Sequence, residues 1–255
     1  MSVNRLDGTH VGTSATGGTT LSIHAVAGLQ PNNFSLVWVA FSPASTTGDV
    51  VSILPSTPAL NPNFSSRFIG KSKAAGTGGI ELWLIWGFSA NSGSAASNAL
   101  TVTTTAYSTG TFAVGIQRFD AGGTQDSTIA ASVNWATDTS SAVGSGNTIT
   151  PPDSEGVVAT FAGFASTATW SSNTDTPGGV DALTHDQVHS ANSTSYRFGH
   201  RLRPRPVAHN RVLNLNSSVA WTHAMASVTP ADIALTDTGL YKGRATKTLD
   251  AGAIA

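Results

Sequence analysis

The run from Gly79 to Ser89, GIELWLIWGFS, packs more apolar bulk into a short length than any other part of the chain. A helix that crosses a membrane needs roughly 20 apolar residues. This run is far shorter and rich in aromatic and β-branched side chains, so it reads as a β-strand. Alternation puts Leu82, Leu84, Trp86 and Phe88 on one side and Glu81, Trp83 and Ile85 on the other. Water penalises large side chains on both sides, so the strand is predicted to be buried on both faces. One face has to meet a second sheet, and the other a loop, a tail or another chain.

With 255 residues the chain is long enough for one large β domain with extensions. Charged residues make up 11 % and the formal net charge is -1, so no basic field recruits nucleic acid and no acidic excess points to disorder. Solubility falls to Ser, Thr, Asn and Gly, a habit of β proteins in large assemblies or outside the cytoplasm. The absence of cysteine removes disulfide frameworks, thiolate catalysis and Cys-type zinc sites together. The opening MSVNRLDGTHVGTS lacks the basic start and apolar core of a secretory signal, so a product that begins in a cytoplasm, or is mature as written, is expected.

The organisation expected is an N-terminal arm over 1–19, a β domain over 20–228 and a C-terminal tail over 229–255. The arm is Gly, Thr and Ser rich and is predicted to order only on contact. Strands are predicted at 20–26, 34–42, 49–54, 66–71, 79–89, 99–105, 111–119, 127–135 and 156–165. A hairpin is predicted from 180–188 and 195–202, and further strands at 212–215 and 218–228. The segment after Trp135 reads as a Ser/Thr/Gly loop, and Trp170 reads as part of a polar loop. Many strands with turns at short spacing and no convincing amphipathic helix predict an all-β fold. The specific expectation is an antiparallel β-sandwich of jelly-roll type. The absence of a fixed-period repeat argues against propellers and solenoids.

The order of the long strands carries a resemblance. FSLVWVAFS, GIELWLIWGFS, ALTVTTT, GTFAVGIQRFDAGG, TPPDSEGVVATFAGFA followed by Trp170, and SVAWTHAMASV together resemble the jelly-roll modules of tailed-bacteriophage structural proteins, over about residues 34–228. The resemblance implies a virion component: a head decoration, fibre, spike or minor tail protein. It also implies a symmetric oligomer, with a trimer favoured, that attaches to other virion proteins by terminal arms. The chain departs from such modules in its arginine-rich segment and its long C-terminal tail.

Candidate sites follow from residue chemistry. Arg197, Arg201, Arg203, Arg205 and Arg211 put five of the nine arginines into fifteen residues, and Pro204 and Pro206 hold the RPRP stretch extended so that its side chains splay outward. Guanidinium forks suit carboxylates and phosphates, so this segment is the candidate contact with acidic groups of a neighbouring subunit, beside the readings of an ordinary solvated loop and of a site for nucleic acid or an anionic glycan. Without a groove-fitting helix or an aromatic platform it argues little for nucleic acid. Trp135 and Trp170 fall at strand ends in polar surroundings and are the candidates for stacking on a surface glycan, which makes a carbohydrate-binding module the alternative reading. Asp181, His185, Asp186 and His189 cluster in VDALTHDQVH, but a metal needs three or four ligands in one shell and the sequence names no complete set. His223 shares a face with Trp221 and Met225 and reads as a hydrogen-bonded core or interface histidine instead of a ligand. Glycoside hydrolysis needs two acids about 5 to 9 Å apart. The only glutamates are Glu81 and Glu155, and no pairing emerges. Neither a Gly-x-Ser-x-Gly elbow nor a phosphate-binding loop is present, so no catalytic residue and no cofactor is predicted.

Overall fold

The computed structural model describes the strand residues between 4 and 120, and the stretch 129–230 apart from 155, 180–181 and 192–193. Residues 231–255, most of the predicted tail, lie outside the described residues. In chain order the strands are β1 (Asn4–Arg5), β2 (His10–Val11), β3 (Ala15–Thr16), β4 (Thr20–His24), β5 (Asn33–Ser42), β6 (Val50–Pro55), β7 (Phe64–Lys73), β8 (Glu81–Ser89) and β9 (Ala99–Thr104). They continue with β10 (Thr111–Asp120), β11 (Ile129–Val143), β12 (Thr148–Ile149), β13 (Val157–Ala165), β14 (Trp170–Thr176), β15 (Thr184–Ala191), β16 (Thr194–Leu202) and β17 (His209–Pro230). No α-helix occurs among the described residues.

The chain is all-β and its sheets are antiparallel. One sheet runs β1-β10-β5-β8-β7, with β2 and β3 also on β10. A second runs β11-β17-β13-β16-β15, with β12 and β14 also on β17, and β4-β9-β6 form a third. The apolar run at 79–89 forms β8, an interior strand between β5 and β7. Its side chains, Glu81, Trp83 and Trp86 included, lie outside the described residues.

The first two sheets stack face to face, and alternation decides which residues meet. Even positions of β5 (Leu36, Trp38, Ala40) and odd positions of β10 (Ala113, Phe119) pack on odd positions of β13 (Val157, Ala159, Phe161) and on Tyr196, Phe198, Ala224 and Ala226. Trp38 meets Tyr196 with ring centroids 5.3 Å apart, and Phe119 meets His200 edge-on at 5.2 Å. β13 is buried from Val157 to Phe164 on both faces, which explains why VVATFAGF reads as a continuous apolar run instead of an alternating one. Each of its large side chains contributes about 1.5 to 3 kcal/mol on burial.

The second face of β13 is covered by the chain itself. β17 pairs with β11 as far as Val219↔Ser140 and resumes at Asn214↔Ala142, so four residues of β17 lie opposite the single residue Ser141. Such a bulge bends a strand. Beyond it, the first half of β17 takes β14 on one side and β12 on the other. This curled layer, here called the strap, lays Leu213 and Leu215 on Ala162, Phe164 and Trp221, and Ile149 on Val158 and Met225.

Three sequence expectations change. Residues 136–143 are not a loop: they extend β11 along β17. Trp170 does not sit in a loop: it opens β14, whose polar residues 171–174 are exposed. Residues 212–215 and 218–228 are not two strands but parts of one. In the first two cases backbone pairing with a distant strand outweighs a weak local pattern. Within the predicted arm, Asn4–Arg5, His10–Val11 and Ala15–Thr16 pair with β10, whose edge offers unpaired N–H and C=O groups.

Candidate functional site

Where the strap meets the sheet, an otherwise apolar layer holds a run of polar side chains. His223 is fully buried. Its Nδ1 lies 2.9 Å from Asn147 Nδ2 and its Nε2 lies 2.7 Å from Thr160 Oγ1. Asn147 Nδ2 also donates to the Asn134 carbonyl at 3.1 Å, which fixes the amide nitrogen toward the ring. His223 Nδ1 therefore accepts, and the proton sits on Nε2 and is donated to Thr160. A hydroxyl, an imidazole and an amide in line resemble a nucleophile, base and orienting group, but the tautomer is reversed. A base acting on Thr160 would need a lone pair where His223 carries its proton.

Burial lowers the pKa of His223 from 6.5 to about 3, with the positive charge of Arg211 adding to the effect. Below pH 6.5 the unfolded chain gains a proton that the folded chain refuses, so this contribution to stability is whole above 6.5 and falls as pH drops toward about 3. Urea unfolding at matched pH should show wild type losing about 2 kcal/mol more than His223→Gln between pH 6.5 and about 5. Parallel pH profiles for the two proteins would contradict this assignment.

The structure sorts the five arginines of the 197–211 segment into three environments. Arg211 is 1 % exposed and its Nε lies 3.2 Å from Asp175 Oδ1, the cross-strand neighbour on β14. Its guanidinium passes over Gly199, where a Cβ would collide with Nη1. The position read from sequence as part of a surface contact is thus an interior charge. Arg197 and Arg201 are half-buried on the strap-facing side of β16. Arg197 sits over the Trp170 ring, with Cζ 5.7 Å from its centroid, and its Nη2 donates to Asn173 Oδ1 at 3.2 Å.

Arg203 and Arg205 are exposed on a pinned turn, with Pro204 buried between them. Arg203 N donates to the Gly156 carbonyl at 2.9 Å. The Arg205 carbonyl accepts from Val207 N at 2.8 Å and from His209 Nε2 at 2.9 Å. Arg203 has φ 52, so the extended RPRP expected from its prolines is instead a turn entered through the left-handed region. Val207 beside it is 41 % exposed.

Trp170 is half-buried, its Nε1 donates to Ser195 Oγ at 2.7 Å, and its ring meets Phe164 at 4.8 Å. A sugar stacking on the face that carries Arg197 has to displace that guanidinium. Trp135 is half-buried against the inter-sheet core. Among the described residues no three His, Asp or Glu side chains converge as a metal site. The side chains of His185, Asp186 and His189, and residues Glu155 and Asp181, lie outside the described residues. No helix of the described residues is long and apolar enough to cross a membrane.

Sequence reasoning passed over Asn147, Thr160 and Asp175. The available signal was a lone hydroxyl, Thr160, inside an apolar run, since a buried polar group calls for a partner. Nothing local named Asn147 as that histidine's other neighbour.

No protein-family model matches the chain, and no curated protein matches it. In structure it is similar to a chain from the atomic structure of Sulfolobus Turreted Icosahedral Virus, at 10 % identity over 89 % of this chain and 90 % of that one, with a TM-score of 0.25. A common topology does not follow from a likeness at that level.

Proposed function

We propose that this chain is a non-enzymatic structural protein of a virion, of the tailed-phage jelly-roll kind. Its sandwich is a scaffold, and the 203–208 turn engages acidic groups on a neighbouring virion subunit. The observation that carries the reading is the turn itself. Two exposed arginines flank a buried proline on a backbone held by three hydrogen bonds, with a half-exposed valine alongside. A contact surface fixed before binding loses little entropy on docking. The strand order of the sequence and its low charge agree with a protein built to pack in an assembly, with a trimer as the expected oligomer.

Arg203→Gly combined with Arg205→Ser separates folding from assembly. Glycine occupies φ 52 without the strain an L side chain suffers, so thermal stability is expected to hold or rise by about 1 kcal/mol. Incorporation into particles, quantified by mass spectrometry of purified virions, is expected to fall about tenfold or more. Absence of the wild-type chain from virions, or undiminished incorporation of the variant, would overturn the proposal.

A further inference from the structure

We propose that the strap is an acid-released layer: β12, β14 and the 209–215 half of β17 detach from the sheet as a unit on acidification while the two-sheet sandwich stays folded. Detachment uncovers the apolar stripe of Ala162, Phe164 and Trp221 that the strap now covers. This inference stands apart from the virion reading.

The geometry supports it in three ways. First, the strap is bounded: the bulge at 215–218 separates its part of β17 from the part held between β11 and β13, and beyond the bulge β11 follows it only through Ala142 and Val143. Secondly, much of what ties it down is polar. Asn147 bonds His223, Arg197 bonds Asn173, Trp170 bonds Ser195, and the Arg211–Asp175 pair lies across Gly199. Thirdly, the charges in that layer all respond to acid in one direction. Protonating Asp175 leaves Arg211 as a buried cation without that counter-charge, and protonating His223 sets a second positive charge near Arg211.

Among the described residues, the elements around these groups add to the same balance. β13 offers only Thr160 and Ala162, and β16 offers Gly199 flanked on the same face by Arg197 and Arg201. β11 places Ala136 opposite His223, with Asp138 exposed two residues on. The strap adds Asn147 and His209, the latter bonded to the Arg205 carbonyl. Asp175 is thus the described acid buried in that layer. Burial keeps His223 neutral at ordinary pH, so the layer is closed there and loosens only in acid.

Hydrogen exchange of the full chain, read by mass spectrometry and corrected for intrinsic rates, tests this at pH 7 and about pH 4.5. Protection is expected to fall about tenfold or more across 144–149, 170–176 and 209–215, with 33–41 and 157–164 changed by less than about twofold. In His223→Gln, which removes the imidazole that an opened strap protonates at that pH, the strap's loss should shrink at least about threefold. Loss of protection in strap and sandwich together, an unchanged strap in acid, or equal sensitivity in His223→Gln would each sink the proposal.

Discussion

Asp175→Ala is expected to destabilise the folded chain by about 3 to 5 kcal/mol, the largest effect of any single truncation in the strap. The loss does not measure the strength of the ion pair. Arg211 is 1 % exposed and lies across Gly199, so without Asp175 a cation stays in a layer packed by Leu213, Trp221 and Phe164. Replacing both partners by apolar residues of similar size, Arg211→Met with Asp175→Leu, removes the charge along with its counter-charge. That pair should recover most of the loss, leaving a strong coupling in the double-mutant cycle. Urea unfolding followed by tryptophan fluorescence reads all four proteins. Additive single effects would mean that the pair is not the interior unit described.

Gly115→Ala is expected to cost about 3 kcal/mol, although an alanine elsewhere in a strand is usually harmless or better than glycine. Gly115 and Trp38 are register partners on β10 and β5, and the indole of Trp38 lies across the glycine, so a Cβ there collides with the ring. Trp38 is 3 % exposed and stacked near Tyr196, so it cannot swing aside without opening the inter-sheet core. A smaller residue at position 38 should relieve the clash. Trp38→Leu in the Gly115→Ala background is expected to be more stable than the sum of the two single changes predicts, by about 1 to 2 kcal/mol. Thermal or urea midpoints decide it, and an innocuous Gly115→Ala would show that the indole does not rest on that backbone.

The two predictions rest on features of different legibility. Apolar strands announced themselves: β5, β10 and β13 fall within a few residues of their predicted limits, as does the β15–β16 hairpin. Their side chains alternate or run together in patterns that only a sheet accommodates, and Gly, Pro and Asn mark their ends. The polar strands did not. WSSNTDT and the later part of β11 hold few apolar residues, and they are strands because β17 supplies their hydrogen bonds from tens of residues away.

The arginine segment shows the same division. Five arginines in fifteen residues were visible as a cluster, but alternation along β16, the turn at Arg203 and the curl of β17 send them to different surroundings. Arg211 could not be told from Arg205 by composition. What separates them is Asp175 on a neighbouring strand and the absence of a side chain at Gly199.

By itself, then, the amino-acid order determined the class of structure: an all-β chain of antiparallel layers without disulfides, with its apolar strands in known places. Those properties depend on periodicity, turn chemistry and composition, which act over a few residues. Only the tertiary structure decided that the second sheet carries a strap, that His223 holds its proton toward Thr160, and which arginine is interior. Those outcomes depend on burial and on partners such as Asn147, 76 residues from the histidine it bonds, and a polar group's environment is set by what the whole chain brings beside it.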